Sequence, residues 1–233
     1  MKIGGFQKVS LIDYPGKISS IIFTLGCNFR CHFCYVPQLV LPEKIKEMKE
    51  FPEDYIFSYL EKNRKFIDAV VLTGGEPLLQ NDIEEFAKKI KSMGFCLAIE
   101  TNGSCFEKLK SLIEKKLVDY IAMDIKTSLN FEKYNEIVGG VLTPELFENI
   151  KKSVETILKS GIDCEFRTTV FKNFHSKQDI IDICKVIKGK KYYIQKPKVV
   201  KEVVGKKELV PFDEKEIDEI ISQCRHLVKV FKR

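Results

Sequence analysis

The chain has 233 residues, 44% of them hydrophobic and 31% charged, with 39 lysines and arginines against 33 acids for a formal net charge of +6. That length suits one α/β domain with a substantial core and is short for two domains of ordinary size, while the composition excludes a disordered or low-complexity chain. No apolar run reaches the roughly 18 residues of a membrane span. The start, Met1-Lys2-Ile3-Gly4-Gly5-Phe6, lacks the continuous apolar stretch of a signal peptide, so a cytoplasmic location is expected.

Residues 2–17, with Tyr14-Pro15-Gly16 as a turn, read as an N-terminal extension or hairpin. From residue 18 onward, β-branched apolar runs alternate with amphipathic ones, the pattern of repeated βα units around a parallel sheet. Strands are expected over 18–25, 69–72, 95–100, 120–126, 164–170 and 192–195, with a last one over 227–232. Helices are expected near 53–65, 81–93, 104–116, 144–160, 178–188 and 213–224. Thr143-Pro144-Glu145 supplies a hydroxyl cap, a proline at the first helical position and an acid in the first turn. Gly94 and Gly161 stand where left-handed helix ends are wanted. About six βα units fall short of the eight that close a barrel. The expected fold is therefore α/β, a single-domain partial (β/α)6 barrel over 18–233, with its site at the C-terminal ends of the strands.

Eight cysteines in a reducing compartment point to metal binding wherever they cluster. Cys27, Cys31 and Cys34 crowd onto Gly26-Cys27-Asn28-Phe29-Arg30-Cys31-His32-Phe33-Cys34, directly after the first strand. Cys96, Cys105, Cys164, Cys184 and Cys224 are scattered through strands and helices, where a thiol acts as a small buried hydrophobe. A structural zinc site normally takes four ligands. His32 is the nearest further donor, but it adjoins Cys31 too closely for easy tetrahedral closure, which favours an iron–sulfur cluster. Three cysteines on four irons leave one iron open for a chelating cofactor.

Polar residues gather at the ends of the later strands. Thr73-Gly74-Gly75-Glu76-Pro77 follows the second strand, where glycines let the backbone approach a ligand; a plain strand-to-helix turn is the alternative. Glu100-Thr101-Asn102-Gly103 ends the third strand, with Asn102 either at the rim of a site or serving as a cap or turn residue. Met123-Asp124-Ile125-Lys126 ends the fourth, and an Asp124–Lys126 ion pair is the alternative to ligand contact. Arg167, on an apolar fifth strand, needs an acidic or anionic partner. Gln195 ends the sixth. The lysine-rich run 185–207 is either a solvated face or a docking surface for an acidic reductant or nucleic acid, and it lacks the aromatic spacing of base stacking. Nucleic acid is therefore not expected.

The CxxxCxxC loop with Phe33 before its last cysteine, followed one βα unit later by GGEP, resembles the radical SAM superfamily. The resemblance implies a [4Fe–4S] cluster on Cys27, Cys31 and Cys34, whose open iron binds the amino and carboxylate groups of S-adenosyl-L-methionine (SAM). It assigns Gly74, Gly75, Glu76 and Pro77 to the methionyl amine, and Asp124, Ile125 and Lys126 to the ribose and carboxylate region. Phe33 and Asn102 join the cofactor contacts, Arg167 meets the SAM carboxylate or Asp124, and Gln195 reaches the adenosyl group. Lys126 stands with the three cysteines in the catalytic set.

Across most of the chain, from Gly4-Gly5-Phe6 and Leu11-Ile12-Asp13-Tyr14-Pro15-Gly16-Lys17 to Phe166-Arg167-Thr168-Thr169-Val170, the sequence resembles activating proteins of anaerobic ribonucleoside-triphosphate reductase. These are glycyl-radical enzyme activating enzymes. The resemblance implies an oxidoreductase that cleaves SAM reductively to a 5′-deoxyadenosyl radical, which takes hydrogen from a glycine of a large partner such as anaerobic ribonucleotide reductase. Electrons would come from a low-potential flavodoxin or ferredoxin. Many members place His and Asn after the third cysteine; here Tyr35 and Val36 stand there, which bears on the adenine pocket or the substrate. The alternatives are a radical SAM enzyme acting on a small molecule or nucleotide, in the manner of 7-carboxy-7-deazaguanine synthase, and a non-enzymatic iron–sulfur electron carrier or zinc module. GGEP and the partial-barrel pattern argue against the last two.

Overall fold

Continuous apolar runs become the buried strands of a mostly parallel sheet in the computed structural model, which describes residues 1–197 and 202–233. The chain divides into two units, the first comprising residues 1–28, 36–101 and 105–121 and the second 29–35, 102–104 and 122–233.

The first unit holds β1 (Ile3–Ser10), β2 (Ser19–Thr24), α1 (Pro37–Val40), α2 (Pro42–Ile45), α3 (Glu53–Lys62), β3 (Ala69–Gly74), α4 (Ile83–Ser92), β4 (Cys96–Thr101) and α5 (Phe106–Glu114). Strands β2, β3 and β4 pair in parallel, with Ile21 beside Val71 and Val71 beside Ala98. Ile22, Val70, Leu72, Leu97 and Ile99 are fully buried. Such strands have no polar face to offer water, so helices must cover them. Helix α4 does this with Ile83, Phe86, Ala87 and Ile90, one stripe at helical spacing. Asp119 then ties the β4 start, accepting from the Leu97 N–H at 2.7 Å and from Lys91.

Strand β5 (Tyr120–Asp124) runs from the first unit into the second, which continues with α6 (Phe131–Ile137), α7 (Pro144–Lys159), β6 (Asp163–Thr169), α8 (Lys177–Val186), β7 (Lys191–Gln195), α9 (Glu214–Cys224) and β8 (Lys229–Lys232). Strands β6, β7 and β8 pair in parallel. The Thr143 hydroxyl caps α7, and reciprocal capping boxes start α8 (Ser176 with Asp179) and α9 (Asp213 with Glu216). Gly94 and Gly161 adopt φ of +89° and +74°, as their positions after helices require.

The α/β class, the parallel pairing and the last strand agree with the sequence. Of the two readings of residues 2–17, an extension or a hairpin, it is the extension that forms: β1 pairs antiparallel with β2, with register shifts between Ile3 and Gly5 and between Gln7 and Ser10, and 14–17 form a turn between them. Two details differ. The fourth strand ends at Asp124, two residues early, so Lys126 lies past it. Helices α1, α2 and α6 were not expected, because four to seven residues are too short to show a helical period. In the lysine-rich run, residues 198–201 lie outside the described residues. Lys185, Lys196 and Lys207 make ion pairs within the chain, with Asp182, Glu214 and Glu136. No helix among the described residues is long and apolar enough to cross a membrane.

The end of α6 bears directly on the cysteine loop. The Arg30 N–H donates to the Val138 carbonyl at 2.9 Å and the His32 N–H to that of Ile137 at 3.2 Å. Gly139, with φ +88°, lets the chain turn away here, and a Cβ on it would collide with the Arg30 carbonyl. Gly139→Ala is expected to cost about 1–3 kcal/mol in urea unfolding, from left-handed strain plus overpacking.

Candidate functional site

The cysteine loop begins just after β2, where the Leu25 N–H still donates to the Lys2 carbonyl at 2.9 Å. Gly26 takes φ +94°, its N–H donates to the Leu39 carbonyl at 2.8 Å, and its own carbonyl accepts from the Glu76 N–H at 2.8 Å. Cys27 and Asn28 close the first-unit part of the loop; Phe29 to Tyr35, with Cys31, Phe33 and Cys34, belong to the second unit. There the Cys34 N–H folds back to the Cys31 carbonyl at 3.0 Å, while the Val204 and Gly205 N–H groups donate to the Cys34 and His32 carbonyls at 2.9 and 3.2 Å. Thus main-chain bonds hold the loop on both sides.

In the first unit, the two glycines of GGEP have a backbone reason to be there. A Cβ on Gly75 would collide with the Gly26 carbonyl oxygen and lie 2.6 Å from its carbon. A Cβ on Gly74, whose φ is +111°, would lie 2.5 Å from the Thr24 nitrogen. These glycines seat the turn against the start of the cysteine loop, and packing alone demands them. Glu76 is buried; it caps the short 3-10 turn Pro77–Leu79 by accepting from the Leu78 N–H at 3.1 Å, and it accepts from the Thr101 hydroxyl at 2.7 Å.

In the second unit, Asn102 accepts from the Ser104 N–H and hydroxyl at 2.9 and 2.6 Å, the turn role open to it from the sequence. The Asp124 carboxylate bridges two cations: Arg167 Nε donates to one oxygen and Lys126 Nζ to the other, each at 2.8 Å. The ion pair that stood as the alternative is thus present, and Arg167 finds its acid in Asp124. Burial alone would raise the Asp124 carboxyl, but the Arg167 guanidinium and the Lys126 ammonium outweigh it and hold the pKa at about 2. Burial opposes the Lys126 ammonium likewise, yet Asp124 lifts it above its ordinary value. The triad carries a net +1 and lies beside the cysteine loop, with Lys126 Nζ 5.6 Å from the centre of the Phe33 ring. The Phe171 ring also packs on Phe33, with centroids 5.4 Å apart. Gln195 ends β7 and stands 3.4 Å from the Thr169 hydroxyl.

Several residues that set this geometry escaped the sequence reading. Tyr134 and His175 both bond the Lys126 backbone, and the Thr168 hydroxyl donates to the Ile125 carbonyl at 2.7 Å. A histidine shortly after a strand end, one of only three in the chain, was the available signal.

All eight cysteines are in the thiol form. Among the described residues no three Cys, His, Asp or Glu side chains already converge as a metal-binding group. Donor chemistry nevertheless fits a thiophilic cluster. Burial pushes the Cys31 thiol up to about 11, the Lys126 ammonium opposes that rise, and the Cys34 charge reinforces it. A metal would displace the Cys31 proton and gain a thiolate with a cation already in its neighbourhood. The +1 triad suits a ligand with a carboxylate or hydroxyls.

Residues 21–187 match the family described as the Radical SAM superfamily. A Methanocaldococcus jannaschii protein named as a candidate glycyl-radical enzyme activating enzyme is 37% identical over 188 residues, covering 80% of this chain and 75% of that protein. The GTP 3′,8-cyclase of Aquifex aeolicus is 33% identical over 192 residues, covering 76% of this chain but 55% of its own length. Among solved structures, Streptococcus suis SuiB bound to S-adenosylmethionine superposes with a TM-score of 0.66 at 17% identity, covering 91% of this chain and 51% of SuiB, which is a likeness of fold.

Two measurements test this geometry. Gly75→Ala is expected to lower the unfolding free energy by about 3 kcal/mol, the upper end of overpacking costs, because the obstructing atoms are backbone. The depressed Asp124 pKa stabilises the fold fully above about pH 4, the ordinary aspartate value, and that stabilisation fades as pH falls towards about 2. The gap in unfolding free energy between the native chain and Asp124→Asn should therefore stay level from about pH 7 to 5 and narrow below about pH 4.

Proposed function

The chain belongs to the radical SAM superfamily, and from that premise we propose that residues 1–233 act as one radical SAM domain that activates a glycyl-radical enzyme, with Cys27, Cys31 and Cys34 holding its cluster. The observation that carries the reading is the Asp124–Lys126–Arg167 triad beside Phe33 and Cys31, a charged and hydrogen-bonding group adjoining a thiol loop. When bound, a [4Fe–4S] cluster and SAM supply a 5′-deoxyadenosyl radical. The residues of the chain do the rest of the work. Lys126 offers its ammonium to the cofactor's carboxylate, Asp124 can accept from ribose hydroxyls, and Arg167 keeps Asp124 ionised and oriented. Phe33 lends an apolar face, and Glu76, Pro77 and Asn102 shape the rims of their turns. Ile125 keeps its place through its backbone, Gln195 closes the end of β7, and the Gly74-Gly75 turn keeps the loop seated.

A glycine Cα is a reasonable hydrogen donor, since flanking amides stabilise the radical left behind, and the chemistry then depends on positioning. The name of the M. jannaschii relative supports a glycyl-radical enzyme as the partner; anaerobic ribonucleotide reductase is the leading candidate for it, and a flavodoxin or ferredoxin for the electron source. The similarity to GTP 3′,8-cyclase favours the second reading, a nucleotide as substrate.

Anaerobic reconstitution with iron and sulfide should give one oxygen-sensitive cluster per chain. Its visible absorption should vanish in Cys27→Ala, Cys31→Ala or Cys34→Ala and persist in Cys96→Ala or Cys224→Ala. With SAM and a strong reductant, the loaded protein should release 5′-deoxyadenosine. Adding the reductase should then give a glycine-centred doublet in electron paramagnetic resonance, lost when the partner's glycine is changed to alanine. SAM cleavage with nucleotide turnover and no partner radical would move the assignment to the second reading.

A further inference from the structure

Lys126 lies two residues beyond the end of β5, so no sheet ladder fixes it, yet its ammonium must meet Asp124 and stand over Phe33. Its backbone is held by side chains instead. The Lys126 N–H donates to the Tyr134 hydroxyl at 3.1 Å, and its carbonyl lies 2.7 Å from His175 Nε2. His175 is 3% exposed.

The partners of the imidazole determine its tautomer. A carbonyl oxygen only accepts, so Nε2 must carry the proton that bonds Lys126. In a neutral ring Nδ1 is then an acceptor, and the Phe171 N–H lies 3.1 Å from it. The Phe171 carbonyl, which accepts the His175 main-chain N–H at 2.8 Å, also lies 3.1 Å from Nδ1 but cannot donate to it, so in the neutral ring it is the Phe171 N–H that bonds there. Both ring nitrogens are thus used, one on each side of the ring. Burial holds the pKa of His175 below its ordinary value, which keeps this neutral form.

The same short segment touches the cysteine loop. The Phe171 ring packs on Phe33, and the Phe174 ring stacks on His32 at 5.4 Å and 13°. His175 therefore joins the backbone of Lys126 to the stretch of chain that braces Phe33 and His32. Neither the cluster nor SAM needs to touch it.

We propose that His175 is a positioning residue for Lys126, setting through its Nε2–H bond to the Lys126 carbonyl where the ammonium meets SAM. This rests on the reading that Lys126 contacts SAM. Gln and Asn separate the two ring bonds: a glutamine amide nitrogen reaches the place of Nε2, whereas an asparagine side chain reaches only that of Nδ1. His175→Gln, His175→Asn and His175→Leu are to be reconstituted with iron and sulfide beside the native protein. Iron content, SAM affinity by equilibrium dialysis and hydrogen exchange at the Lys126 and Thr127 amides are then measured, the exchange also on cluster-free protein.

His175→Gln should bind SAM within about threefold of the native affinity, while His175→Asn and His175→Leu should lose about tenfold or more, as is common for residues one shell removed. Iron content should be unchanged, and exchange at 126–127 should quicken in the Asn and Leu variants alone. Native affinity and protection in His175→Asn would overturn the proposal, as would a loss in His175→Gln equal to that in His175→Leu. Failure of the native protein to bind SAM at all would overturn the proposed function and this role with it, while exchange in the cluster-free protein separately decides whether His175 anchors Lys126.

Discussion

A loop that is to present thiols to a metal, the role proposed for Cys27, Cys31 and Cys34, has to be held by its backbone. Cys31 is buried while Cys27 and Cys34 are half-buried, and an unpaired buried peptide group is costly. The structure meets this constraint with donors and acceptors drawn from separate parts of the chain. The carbonyl of Leu39 and the N–H of Glu76 take Gly26, the end of α6 takes Arg30 and His32, and Val204 and Gly205 take the carbonyls of Cys34 and His32. Backbone-to-backbone contact requires close approach, which is why glycine stands at 75, 139 and 205, each facing main-chain atoms that a Cβ would strike. Glycines beside a ligand site are readily assigned to the ligand; here packing of the loop is sufficient cause.

The charged triad answers a second constraint. Taking one carboxylate and two cations out of water is costly, and mutual attraction offsets that cost only where geometry is good and the remaining hydrogen-bonding capacity is used. Asp124 receives one donor on each oxygen, and the segment after it is braced by neutral groups: the Thr168 hydroxyl, the Tyr134 hydroxyl and the neutral His175 ring. Neutral supports leave the net +1 of the triad intact. A charged histidine at 175 would add a cation and lose the acceptor that Phe171 needs.

The other cysteines follow the plain reading for thiols inside a fold. Cys164, Cys184 and Cys224 are buried as free thiols, Cys184 on α8 and Cys224 on α9. Cys96 and Cys105 are half-buried. Three lysines of the 185–207 run, Lys185, Lys196 and Lys207, are engaged in the same unspecialised way by acids of the same unit.

The sequence by itself determined the α/β class, the order of the parallel strands and of the longer helices, and the cysteine loop as a candidate site, because these rest on local signals. Apolar runs set the strands, Thr143-Pro144 and the glycines at 94 and 161 mark helix ends, and three cysteines within eight residues advertise a loop. Tertiary structure decided whatever depends on atoms far apart in the chain. It chose between the two readings of residues 2–17 by pairing β1 antiparallel with β2, a partner up to 21 residues away. It joined Arg167 to Asp124 across 43 residues, gave Gly75 its reason in Gly26, and set His175 on the carbonyl of Lys126. Side-chain identity is written residue by residue, but which donor meets which acceptor follows from the packing of whole elements, and no local pattern encodes that.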